Sequence, residues 1–448
     1  MPAPSHPNII YIHSHDTGRS IQPYGYAVPT PNLQRLADDG VLLRRAFCAA
    51  PTCSPSRAAL LTGQAAHSAG MIGLVNRGFD LADPSRHLLH TLRAAGYHTV
   101  LAGLQHIHHD VTQLGFDAII APGTSTRVAD VAPVAANFIR STPPQPFFMD
   151  VGFFETHREF PAVAPDIDPA AQRPPAPLPD TPATRADMAA FAGMARTLDQ
   201  GVGMLLDALD AAGLTGNTLV IYTTDHGVAF PGCKGTLTDH GMGVAFILRW
   251  PARLADGAFA GGRAVDALIS QIDLFPTLCD LLDIDPPAWL QGRSMLPVLR
   301  GETDEINDEI FAEVTYHAAY EPQRAVRTGR YKYIRRWVAA HTGHTGPVLA
   351  NCDDSISKDV WLAHGWATRP VPAEQLYDLI FDPNEAHNVA GDPAYHDALA
   401  EMRARLAAWM TRTDDPLLAH EGVIPPPPGA QVNRIDAVSP NEPADLVA

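Results

Sequence analysis

The sequence has little that would draw it to a polyanion or a membrane. Across 448 residues, 32 Lys and Arg stand against 49 Asp and Glu, a formal charge of −17. That excludes a general electrostatic footprint for nucleic acid or an anionic bilayer. An anionic substrate must then be held by a local cluster of cations, dipoles or metal. No run approaches the ~20 apolar residues of a spanning helix, so no membrane anchor is expected. The opening MPAPSHPNIIYIHSHD has no basic n-region, long apolar core or cleavage site, and a cytoplasmic location is the expectation. Cysteine is sparse and odd in number: Cys48, Cys53, Cys233, Cys279 and Cys352, with no CxxC pair. A disulfide framework is therefore excluded. Charged residues make up only 18% against 46% hydrophobic, which rules out wholesale disorder. What the chain does have is 20 His, several beside Asp, and these invite a search for metal and acid/base chemistry.

Residues 8–14 (NIIYIHS) form an apolar, β-branched run that suits a buried strand ending in a polar loop from His15. Thr30 and Pro31 read as N-cap and first position of a helix that runs to Asp38 or Asp39 and stops at Gly40. Further strands are expected at Tyr97 to Leu101, Phe147 to Phe153, Thr218 to Thr223 and Val244 to Leu248, with helical stretches such as Arg185 to Ala211 between them. Alternating strands and helices predict an α/β sandwich on a large, mostly parallel mixed sheet, with ligands beyond the carboxyl ends of the strands. His15 and Asp16, Glu155 to Arg158, and Asp225 and His226 all fall there. Residues 1–310 are assigned to this domain. Residues 311–421 read as a smaller C-terminal α+β subdomain, with antiparallel strands in Arg324 to Trp337 and a closing helix from Tyr395 to Thr411. Pro161 to Pro182 reads as a long loop over the surface, with a place over the active site left open. The Pro-rich tail, 422–448, has little to pack and is expected to be extended or to lie against a neighbour, which leaves a homo-oligomer open.

The most informative segment is CSPSRAALLTG, Cys53 to Gly63. Pro55 fits a first helical turn and Gly63 stops the helix, which puts Cys53 at a helix N-terminus. Backbone N–H groups there favour an anion, and Arg57, one turn on, can offer a fork to a tetrahedral oxyanion. A free Cys in this place is a candidate reactive thiolate.

This segment resembles the signature of the sulfatase family, Cys-x-Pro-x-Arg followed by Thr-Gly. PNLQRLADDG, GYHTVLAG, TLDQGVGMLLDALDAAG, NTLVIYTTDHG, CKGTLTDHG and QLYDLIFDPNE extend the likeness in family order over roughly residues 8–390. TPATRADMAAFAGMARTLDQ and GMIGL look most like the heparan N-sulfatase branch. The resemblance implies an alkaline-phosphatase-like fold and a small sulfated substrate, a sulfate ester or sulfamate. It implies that a formylglycine-generating enzyme, as a transient partner, converts Cys53 to Cα-formylglycine. One hydroxyl of the hydrated aldehyde would attack sulfur, and the second would then expel sulfate by breaking the C–O bond.

The resemblance also implies one divalent cation, Ca²⁺ by family habit, at Cys53, an Asp-Asp pair after the first strand and an Asp-Asn or Asp-His pair after a later one. Here these pairs are His15-Asp16 and Asp225-His226. An imidazole in place of an oxygen ligand suits Mn²⁺ or another transition ion better than Ca²⁺. His106 matches the end of a family Gly-Lys-x-His motif, but Gly103-Leu104-Gln105-His106 lacks the lysine. His157 matches a histidine near the sulfate or leaving group, and Lys234 the cation that clamps sulfate. A related phosphonate monoester or phosphodiester hydrolase is a rival reading, because that group tolerates a reduced first pair with Mn²⁺. A non-catalytic anion-binding relative is another, suggested by His15 and Leu104. His108, His109 and Asp110 read as a solvated loop rather than a second metal site. Glu313, His317 and Arg324 could reach the pocket mouth, against the plainer reading of ordinary strand and loop structure.

Overall fold

The computed structural model describes residues 6–120, 125–251, 261–419 and 423–447. Eight strands make the central sheet: β1 (Asn8–Ser14), β2 (Val41–Leu43), β3 (His98–Gly103), β4 (Ala118–Ile119), β5 (Phe147–Gly152), β6 (Thr218–Thr224), β7 (Phe246–Arg249) and β8 (Arg263–Val265). Their spatial order is β4-β3-β5-β1-β6-β7-β2-β8. The first five in that order are mutually parallel, β7 is antiparallel to both neighbours, and β8 is parallel to β2. Strands buried on both faces read as continuous apolar runs, which is why the sequence signal was legible. Along β1, Ile9 and Tyr11 enter one core with Leu219 and Ile221, whereas Ile10 and Ile12 enter the other with Val220 and Tyr222. That alternation is the period of two of a pleated strand.

Helices cover both faces. α1 (Pro31–Asp38), α3 (Val128–Arg140) and α4 (Pro182–Ala211) close one core, and α2 (Cys53–Thr62) packs in the other. The Thr30 side chain does not cap α1, as the sequence suggested; its hydroxyl accepts from Gln22 N instead. The 161–182 loop buries Ile167 and Leu178 against Phe191 and Phe230, beside the segment that carries Lys234.

A second sheet of four antiparallel strands follows: β9 (Glu309–Tyr316), β10 (Tyr320–Thr328), β11 (Tyr331–Arg336) and β12 (Glu374–Asp378). One face, with Ile310, Ala312, Val314 and Ile334, joins the core on one side of the central sheet. The other packs on α5 (His396–Arg412) through Val326, Tyr333, Leu406 and Trp409. The described part of the tail folds back on its own chain. Asn433 N donates to Ala318 O, Arg77 donates to Asn433 Oδ1 and Pro440 O, and Lys358 donates to Val438 O. These polar anchors fix a segment too poor in apolar residues to hold by packing alone. No described helix is long and apolar enough to cross a membrane.

Glu313 and Arg324 belong to this framework and not to the pocket. Arg324 is fully buried and holds Asp415 through two bonds of 2.6 and 3.0 Å, with Glu313 Oε2 at 3.4 Å; Glu313 in turn holds His67 at 2.8 Å. Removing one member strands its partners as uncompensated buried charges. Arg324→Ala is expected to lower stability by about 3–5 kcal/mol, read as an earlier midpoint in urea unfolding.

Candidate active site

Cys53 opens α2 at its first helical position, after Thr52 in an extended conformation, and the helix ends at Gly63 with φ +66°. A side chain at Gly63 would carry the left-handed strain and put its Cβ 2.5 Å from Leu290. The helix start brings Cys53 Sγ to 3.4 Å from His226 Nε2. Burial pushes the thiol well above its usual range; Lys234 opposes this, while Asp16 and Asp225 reinforce it. Loss of water at Cys53 therefore works against the thiolate form that the helix start by itself favours.

The ends of β1 and β6 are in register, Ser14 opposite Thr224, so the His15-Asp16 and Asp225-His226 pairs meet. Asp16 takes a left-handed backbone, φ +52°, and its N–H donates to Asp225 Oδ1 at 2.9 Å. His15 Nδ1 lies 2.9 Å from Asp225 Oδ2. His226 Nδ1 donates to Gly227 O, leaving the Nε2 lone pair 3.4 Å from Cys53 Sγ and 3.3 Å from Asp16 Oδ1. Asp16 Oδ1 is itself buried without a hydrogen bond. Donor atoms of His15, Asp16, Cys53 and Asp225 all lie within 4.8 Å of one another. An orphaned carboxylate oxygen facing an imidazole lone pair is what a divalent cation would satisfy, so these residues fit one. Burial, then the charge of Arg57, keeps His15 neutral, the form that can ligate a metal. Burial opposes ionisation of Asp225, but the Arg57 guanidinium and the hydrogen bond from His15 hold its carboxyl well below the usual range.

Arg57 does not present an open fork. Its NH1 bonds His13 Nδ1, and its NH2 donates to Ser14 O and to Asp225 Oδ2, each at 3.0 Å. It braces the end of β1 and one carboxylate. Lys234 Nζ donates to Asp16 Oδ2 at 2.9 Å and lies 3.5 Å from His157 Nε2. Burial alone would lower its pKa, but Asp16 and Asp353 raise it well above the usual range, so it remains a cation. His157 Nδ1 donates to Arg158 O, which turns Nε2 towards the cluster. His106, also left-handed at φ +59°, lies 5.5 Å from His15 between ring centres. Burial, then Arg57, lowers its pKa to about 3, so it is neutral near pH 7.

His108 and His109 are joined by Asp80 and not by Asp110, which caps the next turn by accepting from Thr112 N. His108 Nδ1 accepts from Asp110 N, which leaves the proton on Nε2 and removes it as a ligand atom. His317 is buried and within electrostatic reach of Lys234, Asp353 and His226. No local signal marks His13, which bridges Arg57 to Asp150. None marks Asp353, whose Oδ2 is 3.0 Å from Lys234 Nζ.

A family model described as Sulfatase matches residues 7–284, and one described as N-sulphoglucosamine sulphohydrolase, C-terminal, matches residues 233–344. The N-sulphoglucosamine sulphohydrolase of Homo sapiens is 29% identical over 458 aligned positions, spanning 89% of this chain and 88% of that protein. Two solved structures share the fold. A 2-O GAG sulfatase, 24% identical, superposes with a TM-score of 0.69 over 92% of this chain and 94% of that one. The phosphonate monoester hydrolase of Agrobacterium radiobacter, 23% identical, gives 0.70 over 94% and 100%.

Proposed function

The chain belongs to the sulfatase family, and from that premise we propose that it hydrolyses a sulfate ester or sulfamate of a small molecule through a nucleophile made from Cys53. The supporting observation is the placement of Cys53 at the start of α2, 3.4 Å from His226 and in one buried cluster with Asp16 and Asp225. Converted to formylglycine by a transiently bound generating enzyme, Cys53 supplies a hydrated aldehyde; a divalent ion held by His15, Asp16, Asp225 and His226 supplies Lewis-acid stabilisation. The chain's own groups do the rest. Arg57 fixes Asp225 and the end of β1, so the cluster is set before substrate arrives. Lys234 meets charge on the sulfuryl oxygens. His157 has 28% of its side chain exposed, and its Nε2 faces the cluster, where it can pass a proton to an arriving leaving group. His106, neutral, offers a hydrogen bond rather than a proton.

Two assays test this. The purified enzyme is expected to release sulfate from aryl sulfates faster than it cleaves aryl phosphonate monoesters; the reverse order moves the activity to the phosphonate hydrolases. Across a leaving-group series, His157→Ala is expected to cost about 10²- to 10⁴-fold for alkyl esters, the range of general-acid help, and much less for 4-nitrophenyl sulfate. Equal losses throughout the series contradict the general-acid role.

A further inference from the structure

The cluster is closed almost everywhere. Cys53, Arg57, His15, Asp16, Asp225, His226 and Lys234 are each at most 5% exposed. His157, at 28%, and Asp353, at 16% of the side chain, are the more open groups around Lys234. Both border Lys234 on its more open side, where the leaving group of a bound sulfate would lie. Asp353 comes from the C-terminal part of the chain and has no role in the reaction above. Its nearest cation is Lys234, at 3.0 Å, which is shared with Asp16 and committed to the sulfate. Arg77, another cation in reach of His317, spends its N–H groups on Asn433 Oδ1 and Pro440 O. His317 beside this wall is neutral, since burial lowers its pKa to about 3. A sulfate on Lys234 would share that cation with Asp353, which leaves the negative charge of this wall less fully compensated. The tail clasps the same wall: Ser439 donates to Asp354, and Asn433 N donates to Ala318 O.

Resting on the sulfatase reading, we propose that Asp353 is a specificity-determining residue that rejects substrates whose leaving group carries an anion next to the sulfated atom and admits neutral or cationic ones. A like charge placed opposite a fixed one is a device for discrimination rather than for affinity.

The test measures binding in a protein that cannot turn over: metal-loaded Cys53→Ala, titrated calorimetrically with phenyl sulfate and with 2-carboxyphenyl sulfate. The carboxylate-bearing ligand is expected to bind about tenfold more weakly, the scale of one unit-charge repulsion in a site open to water. Adding Asp353→Asn should bring the two affinities within about twofold, whereas Asp353→Glu, which keeps the charge, should preserve most of the difference. An unchanged ratio with Asp353→Asn overturns the proposal. So does a ratio lost in both variants, which would trace the effect to a displaced wall, and so does failure of either ligand to bind. If native enzyme releases no sulfate from either ligand while the binding ratio behaves as stated, the sulfatase reading fails and the charge filter stands.

Discussion

Replacing Cys53 by alanine is expected to abolish turnover, by about 10⁴-fold or more, in a protein that still folds. The magnitude follows from removing the group on which bond-making depends, an effect that other residues acting with it do not rescue. The fold should survive because α2 is held along its whole buried length, by Leu60, Leu61 and Ala58 in the core and by the Gly63 stop, and not by the thiol. Serine is the sharper control. It keeps a nucleophilic oxygen but has only one, so a sulfated serine lacks the second hydroxyl that expels sulfate. Cys53→Ser should therefore show at most a single slow turnover. Undiminished steady-state activity in either variant would reject Cys53 as the nucleophile precursor.

The second large effect is expected at Asp225. Its carboxylate accepts from Asp16 N and from Arg57, and it contacts His15, so it organises both the ion site and the brace. Alanine would leave Arg57 as a buried, unpaired cation and cost about 3–5 kcal/mol, confusing lost folding with lost chemistry. Asparagine keeps the shape and one acceptor oxygen. Asp225→Asn is expected to come through purification without its divalent ion and to lose more than about 100-fold in activity, beyond the 10- to 100-fold typical of an outer partner. Metal content measured on the protein itself checks the first half independently of rate. His15→Asp should act in the opposite sense, making the shell richer in oxygen and shifting relative activation towards Ca²⁺. Stoichiometric Ca²⁺ in the native protein, with no response to His15 substitution, would mean that His15 is not a ligand.

Much of the site was legible because its residues sit where local signals are strongest. The pairs at His15 and Asp225 end apolar runs that could only be buried strands, and Cys53 begins a helix marked by Pro55 and Gly63. What could not be read was the use each side chain makes of its neighbours. Arg57 looked like an oxyanion fork, yet three long-range partners, His13, Ser14 O and Asp225, occupy it. Cys53 looked reactive at a helix start, but the depth of its burial and two carboxylates work against the thiolate. Asp353 lies in NCDDSISK, where nothing sets it apart from a surface acid; only the packing of the C-terminal part of the chain against the Lys234 loop gives it meaning. The tail shows the same limit: its composition argued for an extended segment, and a few hydrogen bonds from Arg77, Lys358 and Asn433 fold it back.

Turnover depends on what Cys53 becomes. Peptide mass spectrometry of the segment around Cys53, on protein produced with a formylglycine-generating enzyme and treated with a thiol alkylating agent and with a hydrazide, tests this directly. The predicted result is a peptide that escapes alkylation and forms the hydrazone, in proportion to specific activity. A peptide carrying the alkylated thiol in fully active enzyme would contradict it.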